Sequence, residues 1–226
     1  MFLNIARYLA VPPWSESDLH TVASGDALRR KRVPALTPSK AIQALATGWD
    51  PYRFVWVSER RQPTPQEREE AIRWATSVRA MERLRTQHRR EQSRRQQQKV
   101  VTLLVQCHQE EKAIRDIAYP DHLTTGQFAK EALLGGARCA LPVRLRTGRL
   151  LVIECKVSNR ELNSVKRLIR EAGGKAQRWR QEFGEIVVPA VVLAGVYRLR
   201  HLIEAQDTYR LTIFWEHDLA PLRRVL

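Results

Sequence analysis

Glu154 and Lys156 stand two residues apart in LLVIECKVSN (150–159), a run that is otherwise mostly apolar. Successive side chains of a strand alternate between faces. Glu154 and Lys156 therefore share a face with Leu150 and Val152, while Leu151, Ile153, Cys155 and Val157 take the other. Burying two charges in an apolar strand is costly unless they are paired or used. A carboxylate is a hard oxygen ligand for a divalent cation, and an ammonium beside it can meet an anion. The plainer reading is a buried Glu–Lys pair or an edge strand with one wet face, and a bare E-x-K triplet is common by chance.

The neighbouring residues say how such a pair is positioned. LPVRLRTGRLLVIECKVSN (141–159) reads as a β-hairpin. With Arg146-Thr147-Gly148 as a three-residue loop and Gly148 left-handed, Leu145 opposes Arg149. Counting back places Ala140 opposite Glu154. TTGQFAKEALLGG (124–136) reads as a short helix ended by glycines, with Glu131 on it. A helix is expected from about Asn163 to Phe183, with an apolar stripe of Val165, Leu168, Ile169, Ala172, Ala176, Trp179 and Phe183. Lys166, Arg167, Arg170, Lys175, Arg178 and Arg180 lie on its other faces. EIVVPAVVLAGVY reads as a buried strand, LRHLIEAQ as a helix and YRLTIFW as a last strand. The order is that of an α/β fold with a mixed sheet.

The chain has 226 residues, 43% of them hydrophobic, enough for a packed core. It carries 39 Lys and Arg against 24 Asp and Glu, a formal charge of +15. Nucleic acid is the usual partner of such a field, and an anionic membrane surface is the weaker alternative. No apolar run is long enough to cross a bilayer, and the N-terminus lacks the features of a signal peptide. Cys107, Cys139 and Cys155 show no paired spacing, which fits a reducing cytoplasm better than a disulfide framework or a zinc site.

The division into domains is expected near residue 120: a mostly helical region, 1–120, then a core, 121–226. Residues 1–63 are rich in Pro and Trp, with the basic cluster RRKR at 29–32. Thr64, Pro65 and Glu67 have the pattern of a capping box opening a helix. Helical character continues to about Ile117. Its middle, RTQHRREQSRRQQQK (85–99), has almost no apolar residue. Like-charged pairs four apart, such as Arg85/Arg89 and Arg90/Arg94, destabilise an isolated helix, and a polyanion removes that penalty. Arg89, Arg90 and Arg94 are thus candidate DNA contacts, against the plainer reading of a solvated helix.

A hairpin carrying E-x-K, preceded and followed by helices, resembles the PD-(D/E)xK nuclease core. ECKVSN (154–159), NSVKRL (163–168), KAQRW (175–179), VVPAVVLAGV (187–196) and LTIFWEHDL (211–219) together resemble the XamI family of type II restriction endonucleases. WDPYRF, PTPQE and the long basic helix resemble its N-terminal half more loosely. The resemblance implies hydrolysis of duplex DNA at a short palindrome, GTCGAC-like in the prototype. It also implies a homodimer, and a cognate DNA methyltransferase acting on the same site. It implies Mg²⁺ held by the Glu154 carboxylate, the Cys155 backbone carbonyl and a first carboxylate, with Lys156 orienting or helping to deprotonate the attacking water. Hydrolysis of a phosphodiester needs a cation to neutralise developing charge and to activate water.

The resemblance places the first Asp at position 140, where this chain has Ala140 in RCA. An anionic ligand is therefore missing. Ala140 marks either a naturally degenerate member or a deliberate Asp→Ala replacement, and it makes an impaired enzyme the expectation. Asp121 is a weaker candidate acid, and Glu131 a further one. His217 and Asp218 read as the cap of a final helix. Asn159, Asn163, Ser164, Lys166, Arg167, Arg144 and Arg146 are candidate DNA contacts. The alternative is a non-catalytic DNA-binding protein or regulator on a nuclease scaffold, with Glu154 and Lys156 paired and closed off from any cleft.

Overall fold

The computed structural model describes residues 7–15, 18, 38–158 and 165–226, with side chains from 43 onward in the helix that opens at Pro38. The RRKR cluster and Asn159, Asn163 and Ser164 lie outside the described residues. The chain forms two compact units, Met1–His88 and Arg89–Leu226.

In the first unit, helices α1 (Pro38–Gly48), α2 (Val55–Ser58) and the start of α3 (Pro65–Gln106) follow a short turn of 3-10 helix, Arg7–Leu9. Tyr8, Leu9, Phe54, Ala71 and Ala75 form its core, flanked by Trp49, Trp56 and Trp74. The capping box at the head of α3 is present in full. The Glu67 amide donates to Thr64 Oγ1 (3.2 Å), and the Thr64 amide donates to Glu67 Oε2 (2.8 Å). The helix stops at Gln106, earlier than the Ile117 expected, because His108 takes a left-handed backbone (φ 58°).

The second unit is built on strands β1 (Glu110–Glu111), β2 (Asp116–Ile117), β3 (Gln127–Phe128), β4 (Ala132–Leu134), β5 (Ala137–Cys139), β6 (Leu141–Arg144) and β7 (Leu150–Ser158). A π-helix (Lys166–Gly173) running into α4 (Gly174–Phe183) comes next, then β8 (Val187–Gly195), α5 (Leu199–Asp207), β9 (Thr212–Trp215) and α6 (Ala220–Val225). Among the described residues, six strands form a mixed sheet in the order β1-β3-β6-β7-β8-β9, and β2-β4-β5 form a smaller one. The fold is thus α/β with a mixed sheet and a helical N-terminal region.

The segment 124–136 corrects the sequence reading. It holds β3 and β4 rather than a helix, and Glu131 occupies the turn between them with φ 51°. Its Ala, Leu, Glu and Lys content favours helix, but pairing of β4 with both β2 and β5 overrides local propensity.

The hairpin matches the register read from its loop. Gly148 is left-handed (φ 78°), the Leu145 amide donates to the Arg149 carbonyl (2.9 Å), and Leu141 opposes Ile153. The faces also alternate as expected. Leu150 and Val152 pack with Trp179 on one side of the sheet; Leu151 and Ile153 pack with Val100 and Leu104 of α3 on the other. In the helix after β7, the stripe residues Leu168, Ile169, Ala172, Ala176 and Trp179 are all buried.

Candidate active site

β7 is the centre of the sheet, and its two partners end at different places. Pairing with β6 stops at Leu141–Ile153, whereas pairing with β8 continues to Ser158–Gly195. From Glu154 onward the ladder therefore holds β7 from one side only. The chain leaves the β6 register at Ala140, whose amide donates not to backbone but to Glu154 Oε1 (3.3 Å). Ala140, Glu154 and Lys156 are thereby brought together.

Glu154 is 3% exposed. Lys156 Nζ lies 2.9 Å from its Oε2, and Lys175 Nζ, from α4, lies 3.0 Å from its Oε1. Lys156 also reaches Glu171 Oε2 at 3.3 Å, and Lys175 donates to the Arg138 carbonyl at 2.6 Å. Two carboxylates and two ammoniums thus form one charge-balanced cluster between β7 and the helix behind it. Burial alone would lower the Lys156 pKa, but the Glu154 and Glu171 carboxylates outweigh it and the net shift is upward. Lys156 is an ammonium at neutral pH. The Cys155 thiol is pushed up to about 12, first by burial and then by the Glu154 charge. It stays a neutral thiol, so the backbone carbonyl is the oxygen this residue offers.

Sequence reasoning missed two members of this cluster. Lys175 stood only among the basic residues of its helix, and Glu171 was not singled out. Glu171 lies within the π-helix Lys166–Gly173 and Lys175 just past it, and no residue pattern announced that wider winding. Two further supports were also unforeseen. Gln96 of α3, fully buried, donates to the Val192 carbonyl (3.1 Å) and more weakly to that of Lys156 (3.4 Å). Tyr197 Oη donates to the Lys156 carbonyl at 2.9 Å.

The remaining candidates lie further out. Asp121, in a 3-10 turn at Pro120–His122, pairs with Arg144 (2.8 Å). Arg144 pairs with Leu150, four strand positions from Glu154, or about 13 Å along β7. Glu131 donates its amide to the Ala140 carbonyl (2.9 Å), but its side chain faces Arg138 at 4.0 Å and lines a separate cleft with Arg94 and Lys130. Arg146, Arg89, Arg90 and Lys166 are exposed, and Arg167 donates to the Val157 carbonyl. Asp218 Oδ1 accepts from the Ala220 amide at 3.1 Å, one residue before the N-cap of α6, Leu219.

Magnesium tests the donor set directly. Glu154 and the Cys155 carbonyl are the hard oxygens it takes, but Ala140 supplies none and both Glu154 oxygens already face ammoniums. Among the described residues, no three His, Cys, Asp or Glu side chains gather as a metal cluster. The residues present do not make a full magnesium site. Also among the described residues, no helix is long and apolar enough to cross a membrane.

This arrangement of hairpin, sheet and ion cluster is carried by a chain whose relatives are known. The XamI restriction endonuclease family matches residues 1–215, and the chain belongs to it. Over 192 residues it is 36% identical to the type II restriction enzyme XamI of Xanthomonas campestris pv. amaranthicola, covering 81% of this chain and 69% of that one. Kinship with a restriction enzyme supports a nuclease. Solved structures are more distant. An EndoMS complex with double-stranded DNA matches with 21% identity and a TM-score of 0.31, over 38% of this chain and 34% of that one. The protein VC1899 from Vibrio cholerae matches with 12% identity and a TM-score of 0.35, over 99% of this chain and 53% of that one.

Proposed function

We propose that this chain is a type II restriction endonuclease of the PD-(D/E)xK kind that binds duplex DNA at a short palindrome, with its metal site impaired at position 140. The observation that carries the reading is the meeting of Ala140 and Glu154. The residue opposite the E-x-K glutamate, where the family resemblance puts an Asp, lies 3.3 Å from it through its backbone and offers no carboxylate.

With an Asp at 140, that carboxylate, Glu154 and the Cys155 carbonyl would supply the oxygens for Mg²⁺, which neutralises phosphoryl charge and lowers the pKa of water. The chain's own residues do the rest. Lys156, held as an ammonium, suits charge stabilisation on the phosphate side rather than removal of a proton from water. Glu171 and Lys175 fix Lys156 and Glu154 from the helix side. Region 1–120 clamps DNA or joins two copies, through Arg89, Arg90 and Arg94. Asn159, Asn163, Ser164, Lys166, Arg144 and Arg146 contribute phosphate contacts. A palindrome read by two copies about a two-fold axis makes the bound form a homodimer. The cognate methyltransferase modifies the same sequence, in the cytoplasm.

The rival, a non-catalytic DNA-binding protein or regulator on a nuclease scaffold, draws on the pairing of Glu154 with Lys156. Against it, Lys156 also lines an open cleft with Arg170, Lys175 and Arg178.

Selection of bound duplexes from a random pool, with no metal present, tests the binding half. Enrichment of one palindrome, GTCGAC-like by family resemblance, is expected. Uniform recovery of the pool would remove site-specific recognition.

A further inference from the structure

Two adjacent glycines sit where the π-helix passes into α4, and they differ in one respect. Both have ordinary helical backbone, Gly173 at φ −61°, ψ −48° and Gly174 at φ −60°, ψ −38°. Neither is required by conformation, and a glycine within a helix is less stable there than alanine. Gly173 is explained by packing: a Cβ on it would lie 2.7 Å from the Tyr209 ring. Gly174 is not, because a Cβ on it would meet nothing within 4 Å. Gly174 lines an open cleft of about 440 Å³ together with Ala137, Lys156, Arg170, Glu171, Lys175 and Arg178. Four cations and one carboxylate line it, beside the buried Glu154.

We infer that this cleft receives a DNA backbone phosphate, with Gly174 as the point of close approach and Lys175 and Arg178 as its cationic walls. The inference rests on the proposed function and adds residues that no spacing in the sequence singled out. A glycine with no steric reason inside its own chain, facing cations, is what a closely approaching anionic backbone requires. Lys175 is bonded to Glu154 and also stands at the cleft wall, so its ammonium can meet a phosphate there beside Lys156.

The test separates folding from binding by their opposite signs. Gly174→Ala should raise Tm by about 2 °C and weaken affinity for a mixed-sequence duplex by about tenfold, a loss of about 1.4 kcal/mol. Lys175→Gln should reduce the slope of log K against log salt by about 1. Arg223→Gln, on α6, is the control and leaves Gly174-dependent binding unchanged. If the unaltered protein binds duplex and both variants bind it equally well with the same salt slope, the cleft is not a phosphate site. If the unaltered protein binds no duplex, the proposed function fails, and the cleft proposal with it.

Discussion

Placing an acid at position 140 has a cost that can be measured without DNA. In the Ala140→Asp variant a new carboxylate would stand beside Glu154, which is 3% exposed. Two unit charges about 4 Å apart interact by about 4 kcal/mol at an effective dielectric near 20. Lys156 and Lys175, at 2.9 and 3.0 Å from Glu154, already balance the cluster and soften that repulsion. A net destabilisation of about 2 kcal/mol remains, which is about 4–8 °C in Tm for a chain of this size. Magnesium at about a hundred times its dissociation constant returns about 2.7 kcal/mol by linkage. The assay is thermal unfolding in EDTA and in Mg²⁺ at matched ionic strength. The variant should melt below the unaltered protein in EDTA and recover with Mg²⁺, while the unaltered protein should respond little. An equal magnesium response in both, or none in the variant, would refute position 140 as a ligand site.

Other outcomes follow from the same geometry. Gly195 has φ 96°, and a Cβ on it would lie 2.1 Å from the Ser158 carbonyl oxygen, so Gly195→Ala should cost about 3 kcal/mol in urea denaturation. Lys156 has a folded pKa raised above its ordinary 10.5, so its stabilisation is fully present below that value and lost as pH rises through the higher folded one. The difference in urea midpoint between the protein and Lys156→Met should therefore hold steady from about pH 7 to pH 9 and shrink only above about pH 10.5. Burial raises the thiol pKa of both Cys139 and Cys155, the latter to about 12, so neither should be alkylated in the folded protein at neutral pH. Rapid labelling of either, read by mass spectrometry, would mean that the sheet opens around β7.

The hairpin was legible in the sequence because its register follows from one local feature. A glycine able to adopt a left-handed backbone at 148 sets the loop, and the loop sets every opposed pair back to Ala140 and Glu154. The buried stripe of the helix after β7 was legible for a similar reason, its period being that of a helix packed on one side. The segment 124–136 was misread because its strands are two and three residues long, too short for alternation to outweigh residues that favour helix. Lys175 and Glu171 were illegible as site residues. Lys175 and Glu154 are 21 residues apart, and what joins them is a π-helical turn and the packing of Trp179 against β7, neither of which has a local sequence mark.

The most direct measurement is cleavage of a mixed-sequence duplex in Mg²⁺ by the unaltered protein and by Ala140→Asp. Discrete fragments from the variant alone are predicted, making Ala140 the position of a lost metal ligand on a nuclease that still binds DNA. Fragments from both proteins would contradict that role and point to another acid, Glu131 or Asp121. Fragments from neither would contradict the nuclease reading itself.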